Sequence, residues 1–448
     1  MLNKHRLVPW LALLHSFTAV SAWAAELAAG PMAGPTAMRA ATVWVQGKSP
    51  GRARLALWPN GKPGERRLSA PVTLAAESDF AAHLPLAGLE PGVRYDYRVL
   101  IDGKPTGGVF SLATQTLWQW RADPPDFKVL LGSCVYVNEA AYDRPGKPYG
   151  GDSAIFETMA AAKPDLTLWL GDNLYYREVD YDSPAGMSAR WRHDRQIPAL
   201  QSLLATGNHA AIWDDHDYGP NDSTSSFVFK DHALALFKRY WANPSYGLPD
   251  APGIFTSFRH GDAEFFMLDN RWYRDADKLA ENSKAMFGER QMRWLKNALV
   301  NSTATFKFIA AGSQMLDSLS PYEGWRHFDA ERQGFIDWLT RQGINGVVFL
   351  SGDRHRTELL RWPRSAAYSL HDLACSPLTS GTYDVSKVPA DPNLVEGTRV
   401  GERNFCALDI AGAREARRLT IRSFAADGRE LWRHELRATD LGWKEEKQ

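Results

Sequence analysis

The sequence has little cysteine and no surplus of charge of either sign. Three Cys occur in 448 residues, so disulfide staples are not the main support of the fold. Lys and Arg total 52 and Asp and Glu total 52, which excludes a protein that coats nucleic acid through a basic surface. Beyond the N-terminus no run of about 18 consecutive apolar residues occurs, so no membrane-spanning helix is expected there. A GxxxxGK phosphate loop is missing, which argues against a nucleoside-triphosphate motor. Apolar residues are not scarce, however. They make up 44% of the chain against 23% charged residues, which excludes a disordered protein. A chain of this length can bury a large core, as two or three domains of about 150 residues each.

The first residues read as an export signal. Lys4, His5 and Arg6 precede an apolar run from Leu7 to Val20, and Ala22-Trp23-Ala24 has the small-x-small form of a cleavage site. Residues 1–24 are therefore expected to be a cleaved signal peptide. Without an Arg-Arg pair the general secretory route is expected. The mature protein would be periplasmic or secreted. In an oxidising compartment Cys375 and Cys406 can pair, leaving Cys134 single.

Residues 25–40 are rich in Ala, Gly, Pro and Met and read as a loose leader. From Ala41 to Thr114, short alternating runs such as ATVWVQG, RARLALWP and RYDYRVLIDGK are separated by turn residues, the pattern of a small antiparallel β-sandwich. The segment LAGLEPGVRYDYRV resembles a fibronectin type III strand. Residues 115–126 read as a linker. From Phe127 to about residue 440, buried-strand patterns (FKVLL, LTLWL, AAIW, EFFML, TFKFIAA, GVVFL) alternate with helical stretches, which predicts an α/β domain of about 300 residues. The tail from Phe405 to Leu436 returns to strand patterns and is expected to close a sheet edge.

Four of those strands end in residues that carry chemistry. FKVLLGSC ends at Cys134. LTLWLGDNLYY ends at Asp172, Tyr175 and Tyr176. AAIWDDHDYGPND ends at Asp214, Asp215, His216, Asp217, Asn221 and Asp222. GVVFLSGDRH ends at Asp353 and His355. In helix-covered sheets, ligand sites lie beyond the carboxyl ends of strands. Carboxylates gathered there repel one another unless cations separate them, so a metal centre is the expectation.

These residues carry a resemblance. GSC, GDNLY, WDDHD followed by Asn221-Asp222, Leu268-Asp269-Asn270-Arg271 and GDRH resemble, in order, the motifs of the PhoD-like alkaline phosphatases and phosphodiesterases, within the calcineurin-like metallophosphoesterases. The resemblance spans roughly residues 41–440. It implies a four-layer α/β/β/α core preceded by a fibronectin-III-like sandwich, a phosphate-ester substrate, and a site holding Fe(3+) and Ca(2+), although Zn or Mn suits similar donors. It further implies that Cys134 and Tyr175 are soft and phenolate ligands of iron and that Asp172 bridges two metals. Asp215, Asn221, Asp353 and His355 complete the metal set. His216 is implied as the catalytic acid at the leaving oxygen. Hydrolysis would use a metal-activated hydroxide.

Gly207-Asn208-His209 imitates a metal-binding motif but precedes its strand, so it reads as a decoy. Asp269 and Arg271 read as a supporting pair, and Asp217 and Asp222 as outer groups. Asn173 stands where a basic residue binds phosphate in some PhoD-like proteins, and Arg354 or Arg177 would have to replace it. Two other functions compete: a metal-independent cysteine hydrolase built on Cys134 with His216 or His355, and a non-catalytic envelope-binding protein on the same scaffold. The long loops Asn138–Gly151 and Ser376–Val400 are expected to line the cleft.

Overall fold

A computed structural model describes residues 26–281, 283–365 and 367–442. The signal peptide expected over 1–24 lies outside the described residues. Two sheets carry the core. The larger has nine strands in the order Glu430–Arg437, Arg418–Ala425, Asn404–Ala411, Phe127–Gly132, Leu166–Leu170, Asn208–Ile212, Leu27–Ala33, Ala40–Gly47 and Ala81–Ala87. The second has six, in the order Thr256–His260, Ala263–Met267, Phe306–Ala310, Val347–Ser351, Ala367–Ala374 and Glu358–Arg364.

Side-chain alternation stacks these layers. In the six-stranded sheet Phe265, Met267, Phe308, Ala310, Val348 and Leu350 join the core shared with the larger sheet. Their neighbours Phe266, Ile309, Val347 and Phe349 pack with Leu295 and Leu299 of the helix Glu289–Asn301 and with Phe335 and Leu339 of the helix Asp329–Arg341. On the outer face of the larger sheet, Trp169 meets Phe156 of the helix Ala154–Ala161 and Trp241 at the end of the helix Lys230–Tyr240. The stack is thus helices, nine strands, six strands, helices. The segment LTLWL is buried at all five positions because it is covered on both faces. The tail forms three antiparallel strands at one edge of the larger sheet.

The N-terminal region departs from the sequence expectation. Residues 25–40 are not a loose leader. Leu27–Ala33 is a strand, antiparallel to Ala40–Gly47 and meeting Asn208 in parallel register. Its Gly and Pro content hides this, yet Met32 and Ala33 are buried and the Gly30 amide donates to Gln201 Oε1 at 2.9 Å. The sandwich over 41–114 exists, but it is not a module set ahead of the core. One of its faces is built from Ala40–Gly47 and Ala81–Ala87, which continue the nine-stranded sheet. The other is a five-stranded sheet containing Gly51–Pro59, Arg94–Ile101 and Lys104–Ala113. Val43, Val45 and Leu84 pack against Leu55, Leu57, Tyr97 and Val99 between them. Backbone pairing therefore crosses the expected domain boundary. No helix among the described residues is long and apolar enough to cross a membrane.

Candidate metal centre

Register places the chemistry. Phe127–Gly132, Leu166–Leu170 and Asn208–Ile212 run parallel, with Trp169 opposite Gly132 and Leu170 opposite Ile212. Cys134, Asp172 and Asp214 each stand two residues beyond these aligned ends, and Asp353 stands two beyond Val347–Ser351 in the facing sheet. Glycines before Asp172 and Asp353 let these ends approach closely. A Cβ on Gly171, whose φ is +93°, would lie 2.8 Å from Asp214 Cβ, and one on Gly352 would lie 2.6 Å from the Leu170 carbonyl oxygen.

The residues form one continuous cluster. Tyr175 Oη donates to Asp172 Oδ2 at 3.0 Å and lies 3.0 Å from His355 Nε2. Cys134 Sγ is 3.7 Å from Asp172 Oδ2. The backbone amide of His216 donates to Asp172 Oδ1 at 3.2 Å, and its ring stacks on Tyr175 with centroids 4.1 Å apart. His216 Nε2 lies 3.8 Å from Asp215 Oδ2, which accepts the Asp222 amide at 2.8 Å. Donor atoms of Cys134, Asp172 and His355 lie within 4.8 Å of one another, as do those of Asp172, Asp215 and His216 and those of Asp214, Asp215 and Asp353. Asn221 lines the same cleft and is exposed. All seven expected ligand positions and His216 thus converge on one place.

Other expected residues turn away. Tyr176 accepts from Trp191 Nε1 at 2.8 Å in the core behind the site. Asp217 takes the amides of Asp214 and Asn173 at 2.7 and 3.1 Å and the Asn173 side chain at 2.7 Å, which locks two strand ends together. Asn173 is thereby occupied and not available to phosphate. Asp269 accepts from Trp213 Nε1 and the amides of Ile254, Arg271 and Trp272, so its role is to shape a turn. Arg271 is fully buried and pairs with Asp214 and with both oxygens of Glu323, each at 2.7 Å. His209, in the decoy motif, accepts from Trp169 Nε1 at 3.1 Å on the helix-covered side. Of the two replacement arginines, Arg354 lines the cleft. Arg177 stacks over Tyr136 and holds the Tyr175 and Val137 carbonyls.

Three contributors had no strand-end signal. Glu323 groups with Asp215 and Asp222, Tyr149 Oη lies 3.1 Å from His355 Nδ1, and Ser380 Oγ lies 3.4 Å from His355 Nε2. All three sit on irregular segments, where periodicity carries no information.

The electrostatics of this cluster fit a cation. Burial and the neighbouring Asp215, Asp214, Asp217 and Asp353 hold the Asp172 carboxyl well above the usual carboxylate range. Burial and the charges of Glu323 and Asp215 push Asp353 to about 7, against the pull of Arg354. Burial also opposes ionisation of Asp215, but His216 and Arg271 outweigh it and draw it to about 2. Burial raises the Cys134 thiol and the Tyr175 phenol and lowers His355 to about 4. Asp214 Oδ2 and Asp215 Oδ1 are buried without a hydrogen-bond partner. Oxygen atoms left this way carry a desolvation cost that a bound cation removes. The donor set of carboxylates, imidazoles, one thiol and one phenol fits metal ions.

Two stacked sheets whose strand ends pool such donors define a metallophosphatase scaffold. The chain belongs to the PhoD-like phosphatase family, whose model matches residues 129–413. Residues 24–108 match a second model, described as a domain of unknown function. Alkaline phosphatase D of Bacillus subtilis (strain 168) is 27% identical over 201 residues, which is 37% of this chain. The match spans 34% of that relative's length, about a third of it. A solved structure of PhoD superposes with a TM-score of 0.72 at 18% identity, over 88% of this chain and 85% of that one. The purple acid phosphatase PPD1 from yellow lupin (Lupinus luteus) seeds superposes with a TM-score of 0.66 at 10% identity, over 92% of this chain and 75% of that one. Both share the fold.

Proposed function

We propose that this protein is an exported, metal-dependent phosphoric ester hydrolase. The observation that carries the reading is the buried cluster in which Asp172 touches both the Cys134–Tyr175–His355 group and the Asp215–His216 group. A carboxylate has two oxygens, so Asp172 can serve two cations, one on each side. We assign Cys134, Tyr175 and His355 to a softer ion, for which Fe(3+) is the choice, because thiolate and phenolate neutralise its charge. We assign Asp215, Asn221 and Asp353 to a harder ion, for which Ca(2+) is the choice. When bound, the pair supplies a nucleophile at neutral pH and offsets charge on the phosphoryl oxygens.

The chain's own residues do the rest. Arg354, which lines the cleft 3.6 Å from Asp353 and is held by the Glu323 carbonyl and Ser320 Oγ, orients an anionic phosphoryl group. His216, partly open to the cleft, gives its proton to the departing ester oxygen. Burial holds the His216 imidazole below its usual range, and Asp215, at 3.8 Å, with Glu323 offsets part of that cost for the charged form. A metal-independent cysteine hydrolase is disfavoured because burial holds Cys134 in its thiol form.

The test is hydrolysis of a chromogenic phosphodiester and its monoester by the mature protein, before and after metal stripping. Turnover should vanish on stripping and return with iron and calcium. Activity indifferent to stripping would overturn the reading. His216→Ala should retain bound metal while kcat falls by roughly 10²–10⁴; loss of metal instead would make His216 a ligand.

A further inference from the structure

The donor cluster fills one end of a cleft of about 660 Å³. Most of the remaining wall comes from two loops, residues 315–324 and 376–400, with Tyr149 and Arg356 beside them and Asp317, Ser320, Glu323 and Asp391 as the loops' polar contribution. The first presents Leu319, Pro321 and Tyr322 to the cavity, and the second Tyr383, Val388 and Pro389. Tyr322 is 68% exposed, Tyr383 52% and Leu319 49%. Large apolar groups scattered singly need no explanation, but these line one cavity beside a cluster of donors. The wall begins within a ring's width of the donors, since the Tyr383 and His355 centroids are 5.6 Å apart.

The wall is also fixed in place. Asp391 of the second loop accepts the Ser318 amide of the first at 2.7 Å and the Asn393 amide of its own loop at 2.8 Å. Asp317 accepts the amides of Leu319 and Ser320 at 3.1 and 3.0 Å. The two loops are therefore pinned to each other, and the carboxylates that pin them are engaged by backbone N–H groups. A rigid apolar surface binds an apolar group without a large ordering cost. Of the polar groups beside it, Ser320 Oγ accepts from Arg354 and Arg356 is held by both oxygens of Glu358.

We propose that this wall is a subsite for a flat apolar group of the ester, so that aryl-bearing phosphoric esters are the favoured substrate class. This rests on the reading of the donor cluster as a phosphoryl site. Phenylphosphonate and methylphosphonate test it without turnover, because both present the same anionic head and differ in the apolar group. Calorimetric titration of each into the metal-loaded protein should show phenylphosphonate binding roughly tenfold tighter. The phenyl-to-methyl ratio should fall towards one in a Leu319→Ser, Tyr322→Ser double variant, whose altered side chains are exposed, with an unchanged circular dichroism spectrum as the check on folding. Equal affinities in the parent protein, or a ratio that survives the double substitution, would overturn the subsite alone. Failure of both phosphonates to bind would overturn the phosphoryl site and the subsite with it.

Discussion

Cys134, Asp172, Asp353 and His355 share a backbone feature, with φ values of +62°, +52°, +63° and +51°. The left-handed region costs a residue with a Cβ on the order of 1–3 kcal/mol unless its surroundings enforce it. Here it turns strand ends from facing sheets towards one centre. Asp and His adopt this conformation more readily than most residues with a Cβ, and Cys less so. Strain of this kind is not legible in a sequence, whereas the residue types at the strand ends are. GDN, WDDHD and GDRH thus announced a site, while its partners Tyr149, Ser380 and Glu323 did not. The assignment of Cys134 and Tyr175 makes a spectroscopic prediction at this scale. Iron-loaded protein should show a charge-transfer band, which Cys134→Ser and Tyr175→Phe should each shift or remove. A band unchanged by both substitutions would sink the iron-ligand assignment.

At the scale of elements, the two donor-bearing sheets are tied by the Cys375–Cys406 disulfide. Cys375 directly follows a strand of the six-stranded sheet, and Cys406 lies in the nine-stranded sheet, opposite Leu131. The Cys375 carbonyl accepts from Ser133 Oγ at 3.1 Å, and the Ser380 amide donates to the Cys134 carbonyl at 3.1 Å. The bridge therefore sits beneath the loop that presents Cys134. It closes a sequence separation of 31 residues, which corresponds to roughly 3–4 kcal/mol in the chain-entropy description. A Cys375→Ser, Cys406→Ser double variant should unfold at lower denaturant and release iron faster than calcium. Equal release of both metals would show that the bridge stabilises the fold without positioning Cys134. The sequence made this pairing possible but could not place it under the site. The sequence reads as helical over 229–241 and 330–341, and the helices Lys230–Tyr240 and Asp329–Arg341 lie there. The helix Pro184–Arg195 was not legible, because its inward face mixes Arg190, Asp194 and Arg195 with only Met187 and Trp191 as apolar residues. Arg190 pairs there with Asp180 at 2.8 Å, and Arg195 packs 4.1 Å from the Trp241 ring.

At the scale of the whole molecule, the sequence suggested two domains joined by a linker, and the composition shift near residue 115 supported that division. Composition changes at this point because the side-chain period changes from that of a sandwich to that of helix-covered strands. Hydrogen bonding does not follow composition. Leu27–Ala33 pairs along its length with Ala40–Gly47 of the sandwich and meets Asn208–Ile212 of the core at the one pair Ala33–Asn208, so the sheet is carried across the boundary by that bridge. The join is reinforced by side chains. Asp79 in the sandwich accepts from Arg192 at 2.6 Å, Arg239 at 2.5 Å and Tyr240 at 3.3 Å, and buried Trp44 donates to the Arg239 carbonyl at 2.9 Å. Domains that merely touch usually do so through smaller and more polar surfaces and melt separately. A continuous sheet with a buried tryptophan across the join should instead unfold as one cooperative unit. Calorimetry of the mature protein should show a single endotherm, and a chain beginning at residue 115 should fail to fold, since it would lose the Ala33–Asn208 bridge, the Gly30–Gln201 hydrogen bond and the packing of Trp44 and Asp79 against the helix Lys230–Tyr240. Two resolved endotherms, or a folded truncated chain that keeps its metals, would mean that the shared sheet is only a contact and that the core carries its stability alone.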